Sequence, residues 1–267
     1  MLIRAGFEIA LRCSQPTPLV GLLSVHPSRS SDTRSSSGVR LDRDVPSTTT
    51  QDMFGNTRTR LLAPIGVLTL SSDFELEDGG KLDEPASEEP EVHVDELPDD
   101  ALPFLSASRY CETDKLTPLA WSLFGDVEPG GARVQAIVDY VHDRIRFGYE
   151  YASTTRSAWE AHHERRGVCR DFVHLAVAFS RCMNIPARYC SGYLGDIGVP
   201  AADIPMDFTA WMEVFLGGRW FVFDPRHATR RIGRILMARG RDAADVALYT
   251  TFGPSELVAF RVSTSEV

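Results

Sequence analysis

The sequence predicts an α+β fold with an all-β start, and three features of the chain predict it. Before residue 75, short runs alternate apolar and polar side chains, and no helical period appears before residue 100. Beyond residue 130, two apolar stripes recur at helical spacing. After them, two strand-like runs flank Gly217-Gly218, a typical two-residue hairpin turn. Strands, then helices, then antiparallel strands indicate two domains.

The first domain, residues 1–75, is expected to be an antiparallel, β-sandwich-like unit. Residues 7–13 alternate as a half-buried strand does, 19–25 is a second short apolar run, and 58–62 and 65–70 have the pattern of further strands. The serine- and arginine-rich stretch 28–37 has the composition of a loop. With no helical pattern among them, these runs are expected to pair with one another.

Residues 76–101 are expected to be a linker between the two domains. They are acidic, contain Pro85, Pro90 and Pro98, and carry few large apolar side chains. Such a segment cannot bury enough apolar surface to offset the entropy of ordering it. We expect a solvated tether rather than an acidic binding tail.

The second domain, residues 102–267, is expected to be built around one central helix. An amphipathic stripe runs over residues 134–145, and a second runs over 172–183 and ends before Pro186. Cys169 stands just before the second stripe, at a predicted helix start. Free backbone N–H groups and the positive end of the helix dipole favour a thiolate at that position. Cys169 is therefore the best candidate nucleophile.

The predicted hairpin brings an acidic side chain into the same part of the fold. If Gly217-Gly218 forms the turn, Trp211 faces Asp224 across the two strands. Because side chains alternate, Thr209 then shares a face with Asp224, while Phe223 points into a core on the other face. A thiol at a helix start beside a hairpin aspartate is the arrangement of a Cys/His/Asp triad.

Two structural alternatives stay open at this stage. An aspartate before a proline, as in Asp224-Pro225, is often only a turn-former. A free cysteine such as Cys169 is most often a small buried apolar residue.

Composition limits which partners the protein is expected to have and whether its cysteines are expected to form disulfides or bind zinc. A net charge of −9 and a pI near 5.3 argue against a nucleic-acid partner. No apolar run approaches the roughly 18 residues of a membrane span, and charge interrupts the start of the chain too early for a secretory signal. Five cysteines without a Cys-x-x-Cys motif favour reduced thiols over disulfides or zinc. We expect a cytoplasmic protein with no membrane partner.

Several motifs carry a resemblance to a known family. They are Gly167-Val168-Cys169-Arg170-Asp171-Phe172, Asn184-Ile185-Pro186-Ala187-Arg188-Tyr189, Ala210-Trp211-Met212-Glu213-Val214-Phe215 and Phe223-Asp224. Between residues 133 and 253 the chain resembles bacterial transglutaminase-like proteins, a superfamily that shares a cysteine nucleophile with papain-like peptidases. The resemblance implies a papain-like core, with a central helix packed on an antiparallel sheet. Phe54-Gly55-Asn56 fits, more loosely, the β-domain often found before this core.

The resemblance implies roles for three positions. Cys169 aligns with the nucleophile and Asp224 with the acid that orients the base. The catalytic histidine should stand directly before Ala210, where this chain has Thr209. A threonine hydroxyl cannot accept a proton at neutral pH as imidazole does. His227 is a possible displaced base if Pro225 bends the strand, although unbroken strand parity would turn it away from Asp224.

Two functions are therefore weighed. In the first, Cys169 attacks the amide of a glutamine side chain or a peptide bond in a protein or peptide substrate, and water or an amine resolves the thioester. This chemistry requires no metal or organic cofactor. In the second, the chain is a catalytically silent binding or scaffold protein, which the Thr209 position favours.

Overall fold

A computed structural model describes residues 1–201 and 205–267. In these residues the strands are β1 (Leu2–Cys13), β2 (Thr17–Gly21), β3 (Arg40–Leu41), β4 (Ser47–Gln51), β5 (Thr57–Ala63), β6 (Gly66–Glu77), β7 (Arg146–Phe147), β8 (Arg166–Gly167), β9 (Ala187–Leu194), β10 (Thr209–Leu216), β11 (Arg219–Phe223), β12 (Arg234–Gly240), β13 (Tyr249–Thr251) and β14 (Ser255–Glu266). The α-helices are α1 (Thr113–Phe124), α2 (Gly131–Arg144), α3 (Ala158–Glu164) and α4 (Cys169–Cys182). None of the helices described is long and apolar enough to cross a membrane.

The six N-terminal strands and the last two strands of the chain form two four-stranded antiparallel sheets. One has the order β14-β1-β6-β3 and the other β13-β2-β5-β4. Along β5 and β6, buried and more exposed residues alternate, as expected of strands with one face on a core. Ile9 of β1, Leu19 of β2 and Leu68 of β6 belong to one apolar cluster, so both sheets contribute to a single core.

The last two strands of the chain lie with the first ones. In β14, Phe260 pairs with Ile9 of β1, and in β13, Tyr249 pairs with Gly21 of β2. The sequence predicted that the early strands would pair with one another. In the structure some of them pair with late strands as well. A strand pattern shows which face of a strand is buried, whereas the identity of its partner depends on the topology. The division into 1–75, 76–101 and 102–267 stays a prediction. These pairings show in addition that the end of the chain returns to the N-terminal sheets.

The core around α4 is a helical layer on a third antiparallel sheet, of order β11-β10-β9-β12. Leu216 pairs with Arg219 and Met212 with Phe223, which confirms the predicted hairpin. Phe223 lies in the apolar cluster that α4 shares with α1 and α2, whereas Trp211 packs on the opposite face of the sheet. The predicted α+β class and the central helix are confirmed.

The acidic segment is not the solvated tether that the sequence predicted. Asp83 forms an ion pair with Arg234 of β12 at 2.9 Å, and the carbonyl of Pro90 accepts from the backbone N–H of Gly217 at 2.9 Å. Leu97 is buried in a small apolar cluster against the third sheet. The partners of these groups are charges and backbone atoms of the core, which the composition of the segment could not indicate.

Candidate active site

The loop before α4 is held by a buried carboxylate. Asp171 accepts from the backbone N–H of Val168 at 2.9 Å and forms an ion pair with Arg156 at 3.2 Å. The hydrogen bond satisfies an N–H group at the helix start, as a capping residue does. A Cβ atom on Gly167 would lie 2.5 Å from the Asp171 carboxylate, so only glycine fits there. These contacts determine where Cys169, the first residue of α4, is placed.

Cys169 is a half-buried thiol, and its surroundings keep it protonated. Burial raises the pKa of Cys169 to about 12, and the negative charge of Asp207 acts in the same direction. Backbone N–H groups of Ala210 and Arg170 lower this pKa without reversing the shift. The sequence predicted a thiolate from the helix start alone. In the structure, desolvation and a neighbouring carboxylate outweigh these backbone hydrogen bonds, so activation of the thiol requires a proton acceptor.

The turn after β11 brings His227 back onto Asp224. β11 ends at Phe223, and one carboxylate oxygen of Asp224, Oδ1, accepts from the backbone N–H groups of Arg226 and His227 at 3.1 and 3.0 Å. The Nδ1 atom of His227 lies 2.9 Å from the other oxygen, Oδ2. Strand parity is thus broken after Phe223, and the imidazole faces Asp224 instead of turning away.

Asp224 is ionised at neutral pH, and this sets the tautomer of His227. Burial acts to raise the pKa of Asp224, but the charge of Arg234 and the hydrogen bond from His227 outweigh it and hold the pKa below its ordinary value. Arg234 donates to Oδ2 at 2.7 Å. A carboxylate can only accept, so Nδ1 of His227 carries a proton, and in the neutral form of the ring the lone pair is therefore at Nε2.

The candidate residues meet at one cavity of about 410 Å³. Cys169, Thr209 and His227 line it, together with Asp207 and Tyr149. Thr209 stands at the start of β10, where it pairs with Gly192 of β9. Asp224 lies behind His227, with its side chain 1% exposed against 30% for the imidazole. The structure therefore brings together all four residues that the sequence singled out.

Three residues of this region were missed by sequence reasoning. The role of Asp171 was readable, because an acidic residue three positions after a helix N-cap is a capping signal. Arg234, ten residues after Asp224, had no local signal, since its partner depends on the path of the chain. Asp207 was passed over as part of a loop, yet it lines the cavity beside Cys169.

Two other histidines make packing and hydrogen-bond contacts within the fold. The ring of His174 stacks on Tyr110 at 5.0 Å, and its Nε2 accepts from the backbone N–H of Ala243. His162 is buried, and its Nε2 lies 2.9 Å from the hydroxyl of Tyr140. Within residues 1–201 and 205–267 there is no group of three or more His, Cys, Asp or Glu side chains that could hold a metal ion.

Comparison with known proteins identifies the core. A model of the transglutaminase-like superfamily matches residues 119–225. Uncharacterised proteins of Mycobacterium leprae and Mycobacterium tuberculosis are 37% identical over 112 residues and 40% identical over 111 residues. Each match covers 38% of this chain, and it spans only 38% and 35% of the two relatives. The solved structure of a candidate cysteine protease from Cytophaga hutchinsonii superposes with a TM-score of 0.85 at 28% identity, covering 99% of this chain and 90% of the other.

The matched region contains the loop and strands described above. It includes Cys169, Thr209 and Asp224, while His227 lies two positions beyond its end. The structural likeness extends over the two N-terminal sheets as well as the core around α4, and it confirms the fold expected from the motifs. Residues 119–225 of this chain are a transglutaminase-like superfamily domain.

Proposed function

We propose that this protein is a cysteine enzyme that acts on amide bonds through a thioester on Cys169, as a hydrolase or an acyltransferase. The observation that carries the proposal is the meeting of the Cys169 thiol and the His227–Asp224 pair at one cavity. A nucleophile, a base and an acid that orients the base are the parts this chemistry needs.

His227 takes the role of base in this proposal, displaced from the position that Thr209 occupies. Its Nε2 accepts the thiol proton as the sulfur attacks the carbonyl carbon of the amide. The Nδ1–H bond to Asp224 keeps the ring oriented and stabilises the imidazolium that forms. First-turn N–H groups of α4, that of Cys169 among them, stabilise the oxyanion.

The second half of the reaction returns the proton. When the tetrahedral intermediate collapses, the C–N bond breaks and His227 protonates the leaving nitrogen, which departs as ammonia or an amine. Water or a primary amine then attacks the thioester, losing its proton to His227, and the thiol is released. We propose a protein or peptide as the substrate and no nucleic-acid or membrane partner. The five free cysteines favour a cytoplasmic location, because an oxidising compartment would promote disulfide formation between free thiols.

Two observations favour a second function, a catalytically silent binding or scaffold protein. Thr209 occupies the position where the resemblance places a histidine, and the Cys169 thiol has a raised pKa. In that case the cavity holds a peptide without reacting with it.

Thiol reactivity separates the two functions. We would measure Cys169 alkylation by iodoacetamide against pH, by mass spectrometry of its peptide, in the wild type and in His227→Ala and Thr209→His variants. Release of ammonia from a glutamine-containing peptide, with and without a primary amine, would be followed in parallel, with Cys169→Ala as the blank. The enzyme proposal expects His227→Ala to lower turnover by about 10²–10⁴-fold.

The results that contradict the proposal are equally specific. Alkylation that His227→Ala leaves unchanged at every pH would remove His227 as the base. Reactivity and ammonia release that appear only in Thr209→His would identify the wild type as the silent form.

A further inference from the structure

A second cavity, of about 570 Å³, lies on the face of the third sheet that α4 does not cover. Its floor includes Trp211 and Leu236, which pack together on that face. Part of the acidic segment, residues 81–84, forms one wall. Cys169, Thr209 and His227 line a different cavity, so this one is separate from the candidate active site.

The carboxylates around this cavity are already paired with arginines. Asp83 pairs with Arg234, and Asp78 with Arg29. The remaining two pairs are Glu84 with Arg219 and Glu213 with Arg188. Every acidic side chain that lines the cavity therefore has an arginine partner, although Asp83 shares Arg234 with Asp224 and Asp78 shares Arg29 with Asp32.

Positive charge remains after these pairs are formed. Arg239 lies 3.9 Å from Glu213, which is already bound closely by Arg188, so its charge is only loosely compensated. Lys81 also lines the cavity. Of the charged side chains that line the cavity, five are cationic and four are acidic, so an anion would meet attraction there.

Two buried hydrogen-bond donors at this cavity also lack acceptors. Trp211 is 2% exposed and Arg234 is 7% exposed. Neither the Nε1 of Trp211 nor the Nη1 of Arg234 has an acceptor among the residues that the structure describes. The Arg234 guanidinium lies 5.3 Å from the centre of the Trp211 ring, so the two side chains are neighbours. Buried donors without acceptors are uncommon in folded proteins, and a ligand oxygen would satisfy them.

We propose that this cavity binds a small organic anion through a carboxylate or phosphate group. The oxygens accept from Trp211 Nε1 and Arg234 Nη1, and Arg239 and Lys81 supply the unpaired positive charge. Trp220 and Leu236 offer apolar surface to the carbon skeleton. This site does not depend on the chemistry proposed for Cys169.

Calorimetric titration with inorganic phosphate and with benzoate, at constant ionic strength, tests the site and separates the two anion types. Trp211→Phe removes one donor and keeps the ring, and Trp121→Phe, at an exposed tryptophan of α1, is its matched control. Arg239→Gln removes one cavity cation, and Arg12→Gln, in an exposed ion pair of β1, is the control for charge.

Saturable binding of either anion is expected in the wild type and in both controls. Trp211→Phe removes a hydrogen bond to a charged group. The loss of this bond should weaken anion binding by about 10-fold or more. Arg239→Gln should weaken it as well. The absence of saturable binding at millimolar concentration, or equal weakening by the controls, would overturn the proposal. If Trp211→Phe proves unfolded by circular dichroism, Arg239→Gln against Arg12→Gln decides the matter alone.

Discussion

Gly167→Ala should destabilise the protein, because the added methyl group has no room. The new Cβ atom would lie 2.5 Å from Oδ2 of Asp171, 2.6 Å from its Cβ and 2.9 Å from its Cγ. The Asp171 side chain is fully buried and cannot swing into solvent. Either its carboxylate loses the hydrogen bond from Val168 N–H and the ion pair with Arg156, or the loop before Cys169 shifts.

The size of the effect follows from those contacts. A hydrogen bond to a charged group contributes about 1.5–3 kcal/mol, and forcing extra atoms into a packed site costs about 1–3 kcal/mol. The two costs overlap, since relieving the clash breaks the bond. We expect the free energy of unfolding to fall by about 3 kcal/mol. With a urea dependence of about 3 kcal/mol per molar for a chain of this size, the midpoint would move by about 1 M.

Urea unfolding followed by tryptophan fluorescence measures this shift. Gly79→Ala is the matched control, because a Cβ atom at Gly79 would meet nothing within 4 Å and its backbone is not left-handed. A Gly167→Ala midpoint within error of the Gly79→Ala midpoint would refute the claim that Asp171 is locked against Gly167.

Three further predictions concern buried polar groups. Arg181→Met should lower the free energy of unfolding by about 3 kcal/mol in urea melts, because the Arg181 guanidinium donates twice to the carbonyl of Ala187 and that acceptor would be left buried. Burial, with the charge of Arg144, lowers the pKa of His162 to about 4, so stability present above pH 6.5 should be lost, by about 2–3 kcal/mol, as the pH falls to 4. Urea melts across that range should show a flatter pH dependence in His162→Gln. Asp224→Asn should cost about 3 kcal/mol in the same assay by removing one of the two carboxylates that pair with the buried Arg234.

Local features of the fold were accessible from the sequence. The Gly217-Gly218 turn determines the register of β10 and β11, because a two-residue turn leaves only one pairing. The start of α4 at Cys169 follows from the apolar stripe beyond it and from the turn before it. Both predictions depend on residues that are neighbours in the chain.

Features that depend on distant residues were not accessible. The protonated state of Cys169 results from burial and from Asp207, which lies 38 positions away in the sequence. The ionised state of Asp224 depends on Arg234, which lies on another strand. The contact of His227 with Asp224 is an intermediate case. Pro225 signals a bend, but the hydrogen bonds from the next backbone N–H groups to the Asp224 carboxylate decide where the imidazole points.

The pairing of β1 with β14 affects the order in which the chain can fold. β1 is made before the core, and it lies between β6 and β14 in its sheet. During synthesis it can pair with β6 once residue 77 has emerged, but its other edge stays open until residues 255–266 emerge. An open strand edge with an apolar face is a site for aggregation. The chain therefore exposes this edge throughout synthesis of the core, and its β-sheets close only after α4 and the third sheet have been made.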